Sequence, residues 1–280
     1  MAGLKFAIRI DDCPTYPDPV ESENMAEVAE KHGAVLTLAI CSGFLKEWEA
    51  HQSIYKRLFD ESLLDIACHG WKHEDFGGIG MVGEYGGEPH YFTPLNTMSE
   101  IGKVLKECQD FAESFFGRKY GLFVSCGSNL ASVFVPRDIS SFYGILHLTG
   151  FKAISNYPVG GSEPIIRVCQ RTEHIWEVPY TIIVDFYSRS FLKNLYTPQD
   201  YERYLEAVKE HIAFRFRHGM YVCLYLHMIN FREEPSPEHG FHGGNPGGKF
   251  LDEVLTWTKE RYPDVEFVGM EDLIPTSRKP

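Results

Sequence analysis

The chain has 280 residues, 44% hydrophobic and 14% aromatic, and its 27 Lys and Arg stand against 39 Asp and Glu for a formal net charge of −12. That acidity argues against nucleic acid and against an anionic lipid surface, both of which select Lys- and Arg-rich faces. No run approaches the roughly 20 apolar residues needed to span a bilayer. The expected partner is a small neutral or cationic molecule, and the length suits an α/β barrel folded as one domain over residues 1–280.

Apolar runs predict strands at Leu4 to Ile10, Val35 to Ile40, Leu63 to Ala67, Ser132 to Val135, Lys152 to Ser155, part of Ile175 to Asp185, Met220 to Leu226 and Val265 to Val268. Helical patterns occupy Glu21 to His32, Phe44 to Asp60, Thr97 to Phe116, Ile139 to Leu148 and Pro198 to His218. Gly33, Gly117, Gly150 and Gly219 follow four of them, where a left-handed C-cap favours glycine. Thr197 and Pro198 supply an N-cap and a first-position proline. Strands alternating with helices imply parallel pairing through right-handed crossovers, and seven or eight such units make a closed or nearly closed barrel. A doubly wound open sheet is the competing arrangement, but no Gly-rich phosphate loop follows the first strand. Asp11 and Asp12 interrupt the N-terminal apolar run, so it reads as a strand and not as a signal peptide. Seven cysteines without C-x-x-C spacing read as reduced thiols in a cytoplasmic setting.

Four strand-like runs end in residues able to act as acid, base or metal ligand: Asp11-Asp12, His69 to His73, Pro136-Arg137 and His227. In parallel α/β architectures the loops at the carboxyl ends of strands converge on one rim, so these segments point to one shared site. His69 and His73 are spaced i, i+4, which on a helix or tight turn puts both imidazoles on one face able to grip a metal. Two ordinary core or surface histidines are the bland alternative. Adjacent strand residues point to opposite faces, so Asp11 and Asp12 should play different parts. Asp11 has a structural use available as well, an ion pair with Arg9 two residues back. Two long insertions, Glu74 to Asn96 and Phe231 to Gly248, follow ligand segments directly. Their Tyr85, His90, Tyr91, Phe92, His239 and His242 either contact a substrate or bury themselves as loop aromatics do.

Taken in order, Asp11-Asp12 after a strand, His69-x-x-x-His73, a Pro-bearing segment at Pro136 and a late Leu226-His227 resemble the polysaccharide deacetylase (NodB-homology) superfamily, in a divergent branch. The ending from Leu251 to Leu273 is similar too. The resemblance implies a distorted (β/α)7-8 barrel and a divalent metal, zinc first, with Co, Ni, Mn or Fe as substitutes. It assigns Asp12, His69 and His73 as ligands, Asp11 as general base and His227 as general acid. It implies hydrolysis of an N-acyl, above all N-acetyl, bond in a carbohydrate or small amide; Trp71, Pro136, Arg137, Tyr91 and His90 are the candidates to contact such a substrate. Trp71 has a simpler use, packing beneath the two histidines.

The chain departs from the family where an Arg that orients the base is expected: it reads Val133-Phe134-Val135-Pro136-Arg137, with Val at the aligned position. Arg137, displaced by two, and Arg9 are the replacements available. The segment that tunes the acid has only a loose counterpart near Asp185. Three alternatives stay open. A non-catalytic metal- or ligand-binding barrel is one, and a two-His, one-carboxylate non-haem iron(II) oxygenase is another. The third is a metal site that recruits Cys13 or Cys68.

Overall fold

The apolar runs of the N-terminal third fold as adjacent parallel strands. The computed structural model describes residues 3–74, 76, 82–85, 88–91, 95, 97–126, 139–155, 167–184, 198–233 and 244–275. In it β1 (Leu4–Cys13), β2 (Leu36–Ile40) and β3 (Leu64–Cys68) pair in register, Ile8 with Leu36 and Leu38 with Ile66. Beyond β3 the sheet continues through β6 (Leu122–Val124), β7 (Ala153–Ser155) and β9 (Trp176–Glu177) to the antiparallel β8 (Cys169–Gln170). On the other side of β1 lie β11 (Val222–His227) and β10 (Ile182–Ile183), and β12 (Val265–Phe267) pairs with the start of β1. A separate hairpin, β4 (Val82–Tyr85) with β5 (Glu88–Tyr91), falls inside the first insertion.

The ladder path is not closed among the described residues, but the sheet is rolled. Arg9 on β1 hydrogen-bonds Ser155 on β7, at 3.0 Å to Oγ, although β2, β3 and β6 lie between them in the sheet order. Strands β2, β3, β6 and β7 are buried on both faces, as parallel strands are. One set of side chains, including Ile8, Ile10, Leu38, Ile66 and Leu224, packs against helices. The alternate set, including Ala7, Ala39, Ala67, Leu122, Ala153 and Cys223, packs against itself inside the roll. Alanines on three neighbouring strands contribute to that interior, which the long side chain of Arg9 crosses to reach β7.

The helices follow the sequence pattern with one difference. Helix α1 (Val20–His32) ends at Gly33 with φ 56°, and α4 (Met98–Phe116) starts with a capping box between Thr97 and Glu100. The single helix expected from Phe44 to Asp60 is instead α2 (Ser42–Glu47) and α3 (Glu49–Asp60), divided by Trp48 at φ −103°, ψ 79°. Trp48 keeps its ring stacked on Phe44 across the break, so the apolar periodicity runs through it unaltered. Strand β6 was not anticipated, being three residues long with no alternation to mark it. The remaining α-helices among the described residues are α5 (Ile139–Leu148), α6 (Pro198–Arg217) and α7 (Pro246–Arg261), the last capped by Asn245. The strand expected at Ser132 to Val135 lies outside the described residues. No helix among the described residues is long and apolar enough to cross a membrane.

Glu21, in the first turn of α1, is fully buried, and the nearest cation, Arg232 Nη1, stands 3.9 Å from it. Burial therefore wins over Arg232 and pushes its carboxyl from 4.5 up to about 8. Between those values the unfolded chain releases a proton that the folded chain holds, so the contribution of Glu21 to stability falls as pH rises from about 4.5 to about 8. Glu21→Gln should flatten that slope. Urea midpoints at pH 5 and pH 8.5 check it: the variant gains on the parent at the higher pH, and parallel losses at both would contradict this assignment.

Candidate active site

Each site residue sits where a strand stops. Along β1, Arg9 and Asp11 share the face that looks into the roll, and their pairing partners on β11 are Tyr225 and His227. Asp12 should point the opposite way by strand alternation, but it takes φ 62° where the pairing with β2 shifts register between Ile10 and Cys13. Asp tolerates the left-handed region better than most residues, and the turn is held by Thr15 Oγ1 donating to the Asp12 carbonyl at 2.8 Å. The result brings Asp12 Oδ1 to 3.0 Å from His69 Nε2 and 3.1 Å from His73 Nε2.

The histidine pair rides on a turn, not a helix. His69 directly follows β3 and anchors its N–H on Ile40 O; Gly70 then takes φ 85° and His73 φ 58°. Inside this turn the Glu74 carboxylate accepts the Trp71 N–H at 2.7 Å and the Lys72 N–H at 2.8 Å. A Cβ at position 70 would lie 2.6 Å from Glu74 Oε2, so glycine is required there for space as well as for φ. Glu74 carried no signal in the sequence beyond its place one residue after His73.

Three donors thus converge on one point. His69 Nδ1 lies 3.0 Å from the Val124 carbonyl, which can only accept, so that nitrogen donates and Nε2 is the one that faces Asp12. Burial opposes the Asp12 charge, but His73 and His69 outweigh it and hold the carboxyl well below the usual range. Burial pushes His73 below its ordinary 6.5, toward the neutral imidazole. A carboxylate oxygen and imidazole nitrogens crowded at 3.0 and 3.1 Å fit a shared divalent cation; tetrahedral zinc spaces its N and O ligands by about 3.3 Å. Asp12, His69 and His73 lie together in this geometry.

The cysteine beside them is Cys126, not the Cys13 or Cys68 considered from sequence. One ligand atom each from His69, His73 and Cys126 lies within 4.8 Å of the others. Burial pushes the Cys126 thiol well up, and it donates to the His69 carbonyl at 2.9 Å. Cys13 Sγ approaches the Ile10 carbonyl, and Cys68 is buried in the helix-facing core.

Asp11 is 3% exposed and gripped by a guanidinium fork: Arg9 Nε donates to Oδ1 at 2.7 Å and Nη2 to Oδ2 at 2.5 Å. His227 Nε2 lies 3.9 Å from Asp12 Oδ2 and 2.8 Å from the Tyr225 hydroxyl. Asp11 and His227 are register partners on adjacent strands, and His227 reaches toward the Asp12 carboxylate. The Trp71 indole meets Phe111 edge-on at 6.2 Å and lies under Lys46, contacts with α4 and α2 that suit packing. His90, Tyr91 and Tyr85 occupy the β4–β5 hairpin, paired there as Gly83 with His90 and Val82 with Tyr91. Pro136, Arg137, Phe92, Asp185, His239 and His242 lie outside the described residues.

Comparison with solved structures recovers the same architecture. A Mycobacterium smegmatis protein assigned as a polysaccharide deacetylase superposes with a TM-score of 0.61 at 13% identity, over 97% of this chain and 88% of the other. A Pseudomonas aeruginosa PAO1 protein of the same assignment gives 0.60 at 10% identity, over 96% and 89%. The chain has the polysaccharide deacetylase fold. Puue allantoinase shares this fold at a TM-score of 0.58 and 10% identity, over 96% of this chain and 88% of its own. Sequence comparison finds no matching family model and no matching curated relative. In this polysaccharide deacetylase fold the rim carries the converging Asp12, His69 and His73.

Because Glu74 holds the turn between the two histidines, Glu74→Ala should weaken zinc binding by roughly 10- to 100-fold, as loss of such supporting contacts does. Competition with a chromogenic chelator measures this. A variant with parental zinc affinity would show that the turn holds its shape without the carboxylate.

Proposed function

We propose that the chain is a metal-dependent hydrolase that cleaves an N-acyl bond, N-acetyl above all, in a carbohydrate or small amide. The observation that carries this reading is the meeting of Asp12 with His69 and His73 at 3.0 and 3.1 Å, beside the paired Asp11 and His227. The fold shared with polysaccharide deacetylases and with Puue allantoinase supports it. Asp12, His69 and His73 would hold the ion, zinc in the first instance. A divalent ion at such a site supplies Lewis-acid polarisation of a carbonyl and acidifies water.

The other groups move protons. Asp11 takes the proton of the attacking water; each of its oxygens keeps a second lone pair beyond the one given to Arg9. His227, with 20% of its side chain exposed at the rim, donates a proton to the leaving nitrogen, so the amine departs neutral. The C–N bond breaks, and the carboxylic acid and amine leave. The reading includes a single domain over residues 1–280 and a cytoplasmic setting, supported by seven free cysteines, six of them buried.

Metal analysis and acetate release from N-acetylglucosamine oligomers and simple N-acetyl sugars test the proposal. Asp12→Ala, His69→Ala and His73→Ala should lose bound zinc and turnover together. Asp11→Asn and His227→Ala should keep zinc and lose turnover by roughly 100-fold or more. Full activity in the last two variants would sink the proton-transfer assignment, and zinc retained by the Asp12 variant would sink the ligand set. Oxygen uptake with bound iron would favour the oxygenase reading instead.

A further inference from the structure

The proposed base and acid are built into neighbouring strands, two residues beyond another matched pair. In the β1–β11 register Arg9 faces Tyr225 and Asp11 faces His227. Arg9 grips both oxygens of Asp11, and Tyr225 reaches His227 Nε2 with its hydroxyl at 2.8 Å. The two supports also touch each other. The Arg9 guanidinium carbon lies 4.9 Å from the centre of the Tyr225 ring and 5.2 Å from that of Tyr180. Those two rings stack at 4.6 Å with 18° between planes. Ser155, fully buried, accepts from Arg9 Nη1 at 3.0 Å and closes the far side. The guanidinium is thus fixed in its plane by one carboxylate, one hydroxyl and two aromatic rings.

We propose that Arg9 and Tyr225 form a single positioning unit that sets the Asp11 carboxylate and the His227 imidazole relative to one another. Nothing in the spacing of the sequence ties Tyr225 to Asp11; the tie exists because parallel pairing stacks the ring of one support on the cation of the other. Tyr225 has a second consequence for His227. Its hydroxyl occupies a hydrogen-bonding direction at Nε2, the nitrogen that also faces Asp12 at 3.9 Å, and so biases where the imidazole proton sits. Arg9 supplies from β1 the grip on the base for which the segment ending at Arg137 has valine at the aligned position. The roles of base and acid rest on the hydrolase reading above; the geometry of the unit does not.

Three variants test it: Tyr225→Phe, which keeps the ring and removes the hydroxyl; Tyr225→Leu, which removes both; and Arg9→Lys, which keeps a charge and removes the fork. The first readout needs no turnover. Ring-nitrogen NMR signals of His227, assigned by their loss in His227→Gln, should move in Tyr225→Phe and also in Arg9→Lys. The second is kinetic, on whichever N-acetyl sugar the parent cleaves. Zinc content and KM should hold while kcat falls roughly 10- to 100-fold in Tyr225→Phe, the range expected when a reacting group is misplaced by about 1 Å, and further in Tyr225→Leu. Unmoved His227 signals in Tyr225→Phe would overturn the proposal. Signals that move there but not in Arg9→Lys, or equal kcat for the Phe and Leu variants, would overturn the coupling and with it the single unit. If Arg9→Lys does not fold, the Phe-against-Leu comparison decides the coupling. If Asp11→Asn and His227→Ala abolish turnover while the Tyr225 variants do not, the unit fails and the hydrolase reading stands. If the parent releases no acetate, the hydrolase reading falls, and the ring signals still decide the unit.

Discussion

The parallel register between β1 and β11 is the constraint on which the site depends. Pairing Ile10 with Leu226 and Asp11 with His227 brings a carboxylate and an imidazole, more than two hundred residues apart, to the same height on adjacent strands. A slip of one residue would turn Asp11 toward the helices and leave Arg9 beside a different partner. The register is set by the apolar residues between sheet and helices, Ile8 and Ile10 on one strand and Leu224 and Leu226 on the other, all fully buried. Packing that has no chemical role therefore fixes where the chemistry is.

The interior of the roll is then forced to solve an electrostatic problem. Arg9 and Asp11 are each 3% exposed, and burying either alone would be costly. The fork between them, the Ser155 hydroxyl and the two tyrosine rings satisfy that charge with nearly all of the polar directions used. Asp12 is treated differently. It leaves the strand through a left-handed residue, keeps 24% of its side chain exposed and faces imidazole nitrogens instead of a guanidinium. Two adjacent carboxylates thereby acquire different neighbours, one a fixed guanidinium and the other a pair of imidazole nitrogens.

The same inward face of the roll carries small residues, Ala7, Ala39 and Ala67, and polar contacts of Thr37 with Asp65 and with the turn at Gly269. A Cβ on Gly269 would come within 2.7 Å of the Asp65 side chain, so the closing segment fits against Asp65 only as glycine. Arg118 pairs with Asp65 from outside at 2.9 Å. Arg9 crosses this interior and reaches Ser155 on β7.

Much of this was written locally. The runs ending at Asp12, His69 and His227 show as strands because continuous apolar stretches have few other uses, and the i, i+4 histidines with Gly70 between them mark a turn able to hold two ligands on one side. Local pattern could not reveal Glu74 as the clasp of that turn, Cys126 as the thiol beside it, or the break at Trp48, because each depends on a contact made by residues whose spacing carries no periodic signal. The sequence by itself determined which residues end strands and what chemistry they can perform. Only the tertiary structure decided which carboxylate meets the imidazoles and which meets Arg9, because that choice is made by the left-handed backbone at Asp12 and by strand register, both set by packing around the whole sheet.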